Sequence, residues 1–343
     1  MGPARAAHGL GGRSVKLKKS SRRVAGVFGA GIVAAACALP ATLIAQDYPS
    51  RSITIVVPFP AGAAVDNLIR PLTGDLQKLL GQPVVVDNKG GAQGVIGTQF
   101  VARAKPDGYT LLAGSSTTLA ANVGLFKSLP YDPVKDFQPI AGLGYTSMMF
   151  LVRADSPAKD LKGLIALARS QPTAIATAFG SSSGQVALAI LSRAAGISFL
   201  PVPYKGTPQV LTDLLGGAVP MAAIDVGSGV PHIKAGGRLT ALAITGSARS
   251  VSAPDVPTIS ETYPNSDLLT WIGLVAPAGT PMPVVNRLHA AINNVLATAE
   301  LKQAYAALAI EVEPVNPDEL GKRMQRDQVR WNELIRAVGI QPQ

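Results

Sequence analysis

Apolar residues along this chain follow two alternating rhythms. Short runs rich in β-branched side chains, the mark of buried strands, alternate with stretches where large apolar residues recur every three or four positions, the mark of amphipathic helices. Residues 53–81, ITIVVPFPAGAAVDNLIRPLTGDLQKLLG, show both most clearly. Ile53, Ile55, Val56 and Val57 make the strand run. Pro58, Phe59, Pro60, Ala61 and Gly62 make a rigid turn, and Leu68, Ile69, Leu72, Leu76, Leu79 and Leu80 share one helical face. Asp66 stands where a helix N-cap is expected. A strand, a tight loop and a helix start leave backbone N–H groups aimed at one point, which suits a carboxylate or a phosphate.

The same alternation continues. Residues 82–87 read as a strand, 88–94 as a glycine-rich loop, 96–104 as a helix and 109–113 as a strand, with a polar loop over 114–118 that includes Ser115 and Ser116. Residues 148–152 form an apolar passage out of this first series. A second series follows: helix 161–169, strand 174–179, loop 180–184, helix 186–195, strand 197–202, loop 203–206, helix 209–215, a strand over 221–224 ending at Asp225, and a strand over 239–245. Residues 268–275 read as a return crossing. A helix starts at Pro283, and a last helix is capped by Asn316-Pro317 and carries Leu320, Met324, Trp331 and Ile335. Strand-helix alternation at this spacing predicts an α/β fold with parallel βαβ units, which bind ligands beyond the C-terminal ends of their strands. The loops at 58–66, 88–94 and 114–118 lie on that edge.

Charge and cysteine enter through the first 45 residues. Arg5, Arg13, Lys16, Lys18, Lys19, Arg22 and Arg23 precede an Ala-rich apolar stretch over 24–39, the layout of a cleaved secretory signal peptide. The full chain carries 31 basic and 21 acidic residues, +10. Removing the leader leaves 24 basic against 21 acidic residues, or +3, so the basic excess is mostly targeting sequence and not a nucleic-acid footprint. The single cysteine, Cys37, lies in the leader. A lipoprotein anchor there is disfavoured, because Ala34 stands three residues before it. An exported chain without further cysteine folds without disulfides.

Several residues are candidates for chemistry. Asp66 is either a ligand contact or a cap. Gly180-Ser181-Ser182-Ser183-Gly184 matches G-x-S-x-G between a strand and a helix, and Asp225 with His232 or His289 would complete a Ser…Asp…His order with Ser182 as nucleophile. The stretch is serine-rich and lacks an accompanying oxyanion motif, so the same hydroxyls serve equally to bind a carboxylate. Lys205 follows a strand, in a Tyr204-Lys205-Gly206 context. Asp225 is a turn residue or a site residue. No phosphate-cradling glycine motif and no His/Cys/Asp/Glu cluster at metal spacing is present, so neither a cofactor nor a metal is expected.

A leader, then YPSRSITIVVPFPAGAAVDNLIRPL, GQPVVVDNKGGAQGVIGT, KPDGYTLLAGSS, LPYDPVKDF, VPYKGTPQVLTDLLGG, PHIKAGGRLTALAIT and DVPTISE, in that order, resemble the Bug/TctC-type extracytoplasmic solute receptors of tripartite tricarboxylate transporters. The resemblance implies a periplasmic binding protein fold of type II-like form, with two α/β domains and the ligand cleft between them. It places one domain at residues 46–147 plus 271–343 and the other at 148–270. It implies a non-enzymatic receptor, a small organic carboxylate as ligand, and membrane permease subunits as partner. A sensor input to a signalling protein is the alternative within the same class.

Carried over, the ligand contacts are the first loop (Pro58, Phe59, Pro60, Ala61, Gly62, Ala63 and Asp66) and the facing loop (Gly180, Ser181, Ser182 and Ser183). Lys205 and Asp225 follow by position. Ala63 replaces a second glycine of the family pattern, Val65 a threonine, and no histidine follows the second loop. These departures predict a less polar pocket, suited to an aromatic or bulkier monocarboxylate.

Overall fold

The computed structural model describes residues 48–343 apart from 172, 235 and 236; the leader read in residues 1–45, with Cys37, lies outside the described residues. The first half of the chain supplies β1 (Ile53–Val57), α1 (Ala64–Leu80), β2 (Val84–Asn88), α2 (Val95–Ala102) and β3 (Thr110–Ser115). A π-turn over Thr117–Ala121 leads into the short α3 (Asn122–Leu125). Then comes β4 (Phe137–Arg153), far longer than the 148–152 run expected. The second series is α4 (Leu161–Ser170), β5 (Ile175–Phe179), α5 (Ser182–Ala195), β6 (Phe199–Pro203), α6 (Thr207–Gly216), β7 (Met221–Asp225), α7 (Val226–Ile233) and β8 (Leu239–Ile244). The chain closes with β9 (Leu269–Pro277), α8 (Met282–Leu296), α9 (Ala299–Ala307), β10 (Glu311–Val315) and α10 (Pro317–Ala337).

The strands form one continuous network in the order β2-β1-β3-β9-β4-β7-β5-β6, with β10 and β8 also on β4. The βαβ units are parallel as the alternation predicts: β1 with β2 and β3, and β5 with β6 and β7. The antiparallel members are β9 and those on β4. From Phe137 to Ser147, β4 pairs with β9; from Met148 to Arg153 it pairs with β7 and β8. A single strand therefore changes partners near Ser147, and the sheet on either side carries its own helical layers.

On the β1–β3–β9 side, α1, α8 and α9 bury Leu68, Leu72, Leu288, Ile292 and Tyr305 against one face. The other face takes Val95 and Val101 of α2 and Leu320 and Met324 of α10. On the β5–β6–β7 side, α4 and α5 fill one face and α6 and α7 the other. Farther along α10, Trp331 and Ile335 pack into the α5 core, so this helix buries side chains in both halves. Full burial of such side chains is worth about 1.5–3 kcal/mol each. Among the described residues, no helix is long and apolar enough to cross a membrane.

Two local readings need correction. The N-cap of α1 is Ala63, not Asp66, which falls on the third residue of the helix. The helix starts early because Gly62, at φ +80°, turns the chain sharply, a conformation that costs glycine little. Helix α5 begins at Ser182, not at 186, because the Ser181 side chain caps it by accepting from Gly184 N.

Candidate functional site

The C-terminal ends of the parallel strands surround a cavity of about 40 Å³, room for about three waters on a scale where one needs roughly 10–15 Å³. Phe59, Ala63, Ala64 and Val65 supply one wall, from the loop after β1 and the start of α1. Gly180, Ser181, Ser183, Thr207 and Asp225 supply the facing wall, at the starts of α5, α6 and α7. The floor comes from the central strands: Ser115, Thr146, Met148 and Thr270, with Thr117 of the π-turn beside them.

Two helix starts meet here without complete capping. Ala63 has no side-chain acceptor, so the N–H groups of Ala64 and Val65 in the first turn of α1 stand without a cap at the cavity wall. Ser181 caps only Gly184 of α5, leaving the N–H groups of Ser182 and Ser183. Both helix dipoles present their positive ends to the same space. Among the described residues, no lysine, arginine or histidine lines it. Two floor hydroxyls, Ser115 Oγ and Thr270 Oγ1, are buried with no hydrogen-bond partner, as is Ser228 Oγ in α7. Buried hydroxyls are rarely left unpaired, and those on the cavity floor are available to a bound molecule.

Among the described residues, Asp225 is the one ionisable acid or base on the lining. It caps α7 through Oδ1, which accepts from Ser228 N at 2.8 Å. Its Oδ2 accepts from Thr207 Oγ1 at 3.3 Å, a long bond. Burial pushes its carboxyl above the ordinary range, against the opposing hydrogen bonds of Ser228 and Thr207.

The remaining expected contacts stand behind the lining or at its mouth. Asp66 is buried (1 % exposed) but turned away from the cavity. Its carboxylate accepts from Gly62 N at 2.8 Å, Arg70 Nε at 2.7 Å and Asn88 Nδ2 at 2.9 Å. Burial would raise its pKa, but the Arg70 guanidinium, the Gly62 N–H and the Asn88 amide outweigh that and hold it below the usual range. Asp66 thus braces the loop, and Pro58, Ala61 and Gly62 also lie off the lining. Pro60 sits at the mouth, where a methyl group on Gly206 would stand 2.8 Å from its ring. Ser116 Oγ accepts from Trp271 N at 2.9 Å and ties β3 to β9. Lys205 is exposed and does not line the cavity.

Ser182 is fully buried behind the lining. Its hydroxyl donates to Asn122 Oδ1 at 2.7 Å and also meets Gln93 Oε1, while His289 bonds Asn293 at 2.8 Å on a distant helix. Amide oxygens cannot take a proton as a general base does, so this arrangement is not the nucleophile elbow that G-x-S-x-G suggested. Thr117 Oγ1 and Ser183 Oγ lie 3.1 Å apart, a second polar link across the cavity.

Sequence reasoning missed Ala64, Val65, Thr117, Thr146, Met148, Thr207 and Thr270. A threonine interrupting an apolar strand, as Thr146 and Thr270 do, was the available signal.

Incompletely capped helix starts converging on a small cavity, beyond the C-terminal strand ends of a sheet whose halves share crossing strands, define a solute-binding protein of the periplasmic type. The solved structure of the periplasmic binding protein BugD superposes with a TM-score of 0.82 at 33% identity, covering 86% of this chain and all of that one. The family model for the tripartite tricarboxylate transporter family receptor (TctC) matches residues 68–340. The chain belongs to this family. BugT of Bordetella pertussis is 35% identical over 313 residues, 90% of this chain and 96% of that protein. MatC of Rhodopseudomonas palustris, solved with bound malate, is 33% identical with a TM-score of 0.79, covering 84% of this chain and all of MatC.

Proposed function

We propose that this protein is a non-enzymatic receptor that closes over a small organic carboxylate and delivers it to the membrane permease subunits of a tripartite tricarboxylate-type transporter. One observation carries the reading: the free N–H groups at the starts of α1 and α5 face one cavity that, among the described residues, no cationic side chain lines. Such a site favours an anion through dipoles and hydrogen bonds. Malate in MatC is a ligand of that chemistry.

The lobes in this reading are residues 46–147 with 271–343, and residues 148–270. The partner change along β4 near Ser147, opposite Leu269 of β9, supports hinging at these two strands. Residues 1–45 act as the leader that sends the chain to the periplasm, and Asp225, Ser115, Ser181, Ser183 and the α1 start are the contacts.

A thermal-shift screen of the chain from residue 46 onward, against mono-, di- and tricarboxylates, tests the proposal. At one hundred times its dissociation constant a ligand adds about 2.7 kcal/mol, which raises the melting temperature by about 5 °C. Absence of a shift with every acid, before and after unfolding and refolding to strip bound ligand, refutes it. An esterase activity that disappears in Ser182→Ala refutes the non-enzymatic part.

A further inference from the structure

The cavity that suits an anion contains an acid. Asp225 shares the lining with the α1 and α5 starts, so any carboxylate held there lies close to the Asp225 carboxyl. The pairing fixes this nearness: β5 and β7 run parallel with Phe179 beside Ala223, and Ser181 and Asp225 each follow two residues later.

Among the described residues no cationic side chain lines the cavity, and the helix starts of α1 and α5 that offset one negative charge are taken up by the ligand. On its own helix Asp225 meets Ser228, and from α6 it meets Thr207. Met148 stands opposite it on β4. The charged and titratable groups of the surrounding elements are engaged elsewhere or make no bond or ion pair to it. Arg153 of β4 pairs with Asp155, Asp213 of α6 accepts from Tyr204 Oη, and Arg70 of α1 pairs with Asp66. Lys205, His232 and Lys234 form no hydrogen bond or ion pair with Asp225, and none of them lines the cavity. Two carboxylates sharing a site without a cationic side chain raise one another's pKa, and the arrangement favours a proton on one of them.

We propose that the receptor takes up one proton with each carboxylate it binds, and that Asp225 holds it, turning from a hydrogen-bond acceptor into a donor toward the ligand. The proton goes on Oδ2, the oxygen with only the long Thr207 bond, while Oδ1 keeps the cap on Ser228 N. The ligand carboxylate keeps its charge for the helix starts. Burial already biases Asp225 toward the neutral form before any ligand arrives. The inference rests on the carboxylate reading above and adds the charge state in which the site works.

The test is calorimetry of the protein from residue 46 onward with malate, adipate, succinate and citrate between pH 5 and 8. Each titration runs in PIPES and in imidazole, whose different ionisation heats count the protons. The proposal predicts uptake approaching one proton per ligand. Affinity falls about tenfold per pH unit across the interval between the Asp225 pKa values of the free and bound protein. In Asp225→Asn, which carries a permanent neutral donor, the pH profile is flat and no proton is taken up. Proton counting on the unmodified protein near pH 8, where the four acids are fully ionised and carry no proton of their own, decides the matter even where the variant fails to fold. Binding without proton uptake overturns the proposal and leaves the carboxylate reading standing. Failure of every acid to bind at any pH overturns both.

Discussion

Replacing Asp66 by asparagine removes one charge and no volume from the brace behind the first loop. The native carboxylate satisfies three donors at once, Gly62 N, Arg70 Nε and Asn88 Nδ2. Asparagine offers one acceptor oxygen, and its amide nitrogen turns a donor toward a donor. The Arg70 pair contributes little to the loss, because that side chain is 51% exposed and rehydrates, so at most about 1 kcal/mol goes with it. The Gly62 and Asn88 bonds to the buried carboxylate account for about 1–1.5 kcal/mol each. The total is about 3 kcal/mol, a fall in melting temperature of about 6 °C for a domain of this size.

The pH dependence gives the sharper check. The folded Asp66 pKa lies below its unfolded value, so its stabilisation is complete above the unfolded value near 3.9 and fades as pH falls through the folded value. Melting curves of both proteins from pH 7 down to pH 3 should therefore draw closer once pH falls below the unfolded value. A gap under about 1 kcal/mol at pH 7, or a gap that persists unchanged into acid, refutes the brace. Arg70→Met, by the same reasoning, should cost no more than about 1 kcal/mol.

Three further outcomes follow from the geometry. A methyl group on Gly180 would stand 2.5 Å from the Gly206 carbonyl carbon, so Gly180→Ala must push apart the loops before α5 and α6; ligand affinity measured by calorimetry should drop at least tenfold. Ser115→Ala removes a buried hydroxyl that has no partner in the protein, so the melting temperature of the ligand-free chain should hold within about 2 °C while carboxylate affinity falls; a large loss of stability instead would show that the hydroxyl has a structural partner. Trp331→Ala empties part of the core beneath α10 and should cost about 3–5 kcal/mol in urea unfolding, without changing the proton count on binding.

The strands β1, β2 and β3 and helix α1 were legible because proline and glycine punctuate clean apolar runs. Most of β4 was not. Pro139, Gly142 and Gly144 break its pattern, and register shifts fall beside them. Strand β10 escaped notice because its half-exposed residues take their order from pairing with Tyr145 and Gly142, far back in the chain. The loop residues of the site were visible as loops. Which of them face the cavity was not, since Ser182 and Ser183 differ by one position and only helix geometry sends Ser183 to the lining and Ser182 behind it. Asp66 was misassigned for a related reason: an aspartate at the cap and one at the third residue of a helix look alike until the turn at Gly62 is known.

The long reach of the pairings sets the order of assembly. Strand β3 lies against β9, with Leu112 opposite Val275, and β4 against β10, with Tyr145 opposite Glu311. These partners are separated by about 160 residues, so loop closure must precede any reward from contact, and formation of the sheet is slow. A thread leaving a ribosome, or drawn through a translocation pore from its N-terminus, cannot finish the sheet around the anion loop until residues 269–315 are free. Such a topology leaves the β1–β2–β3 strands and the strands gathered on β4 unjoined until β9 has arrived, and only then does the ligand cavity between them take shape.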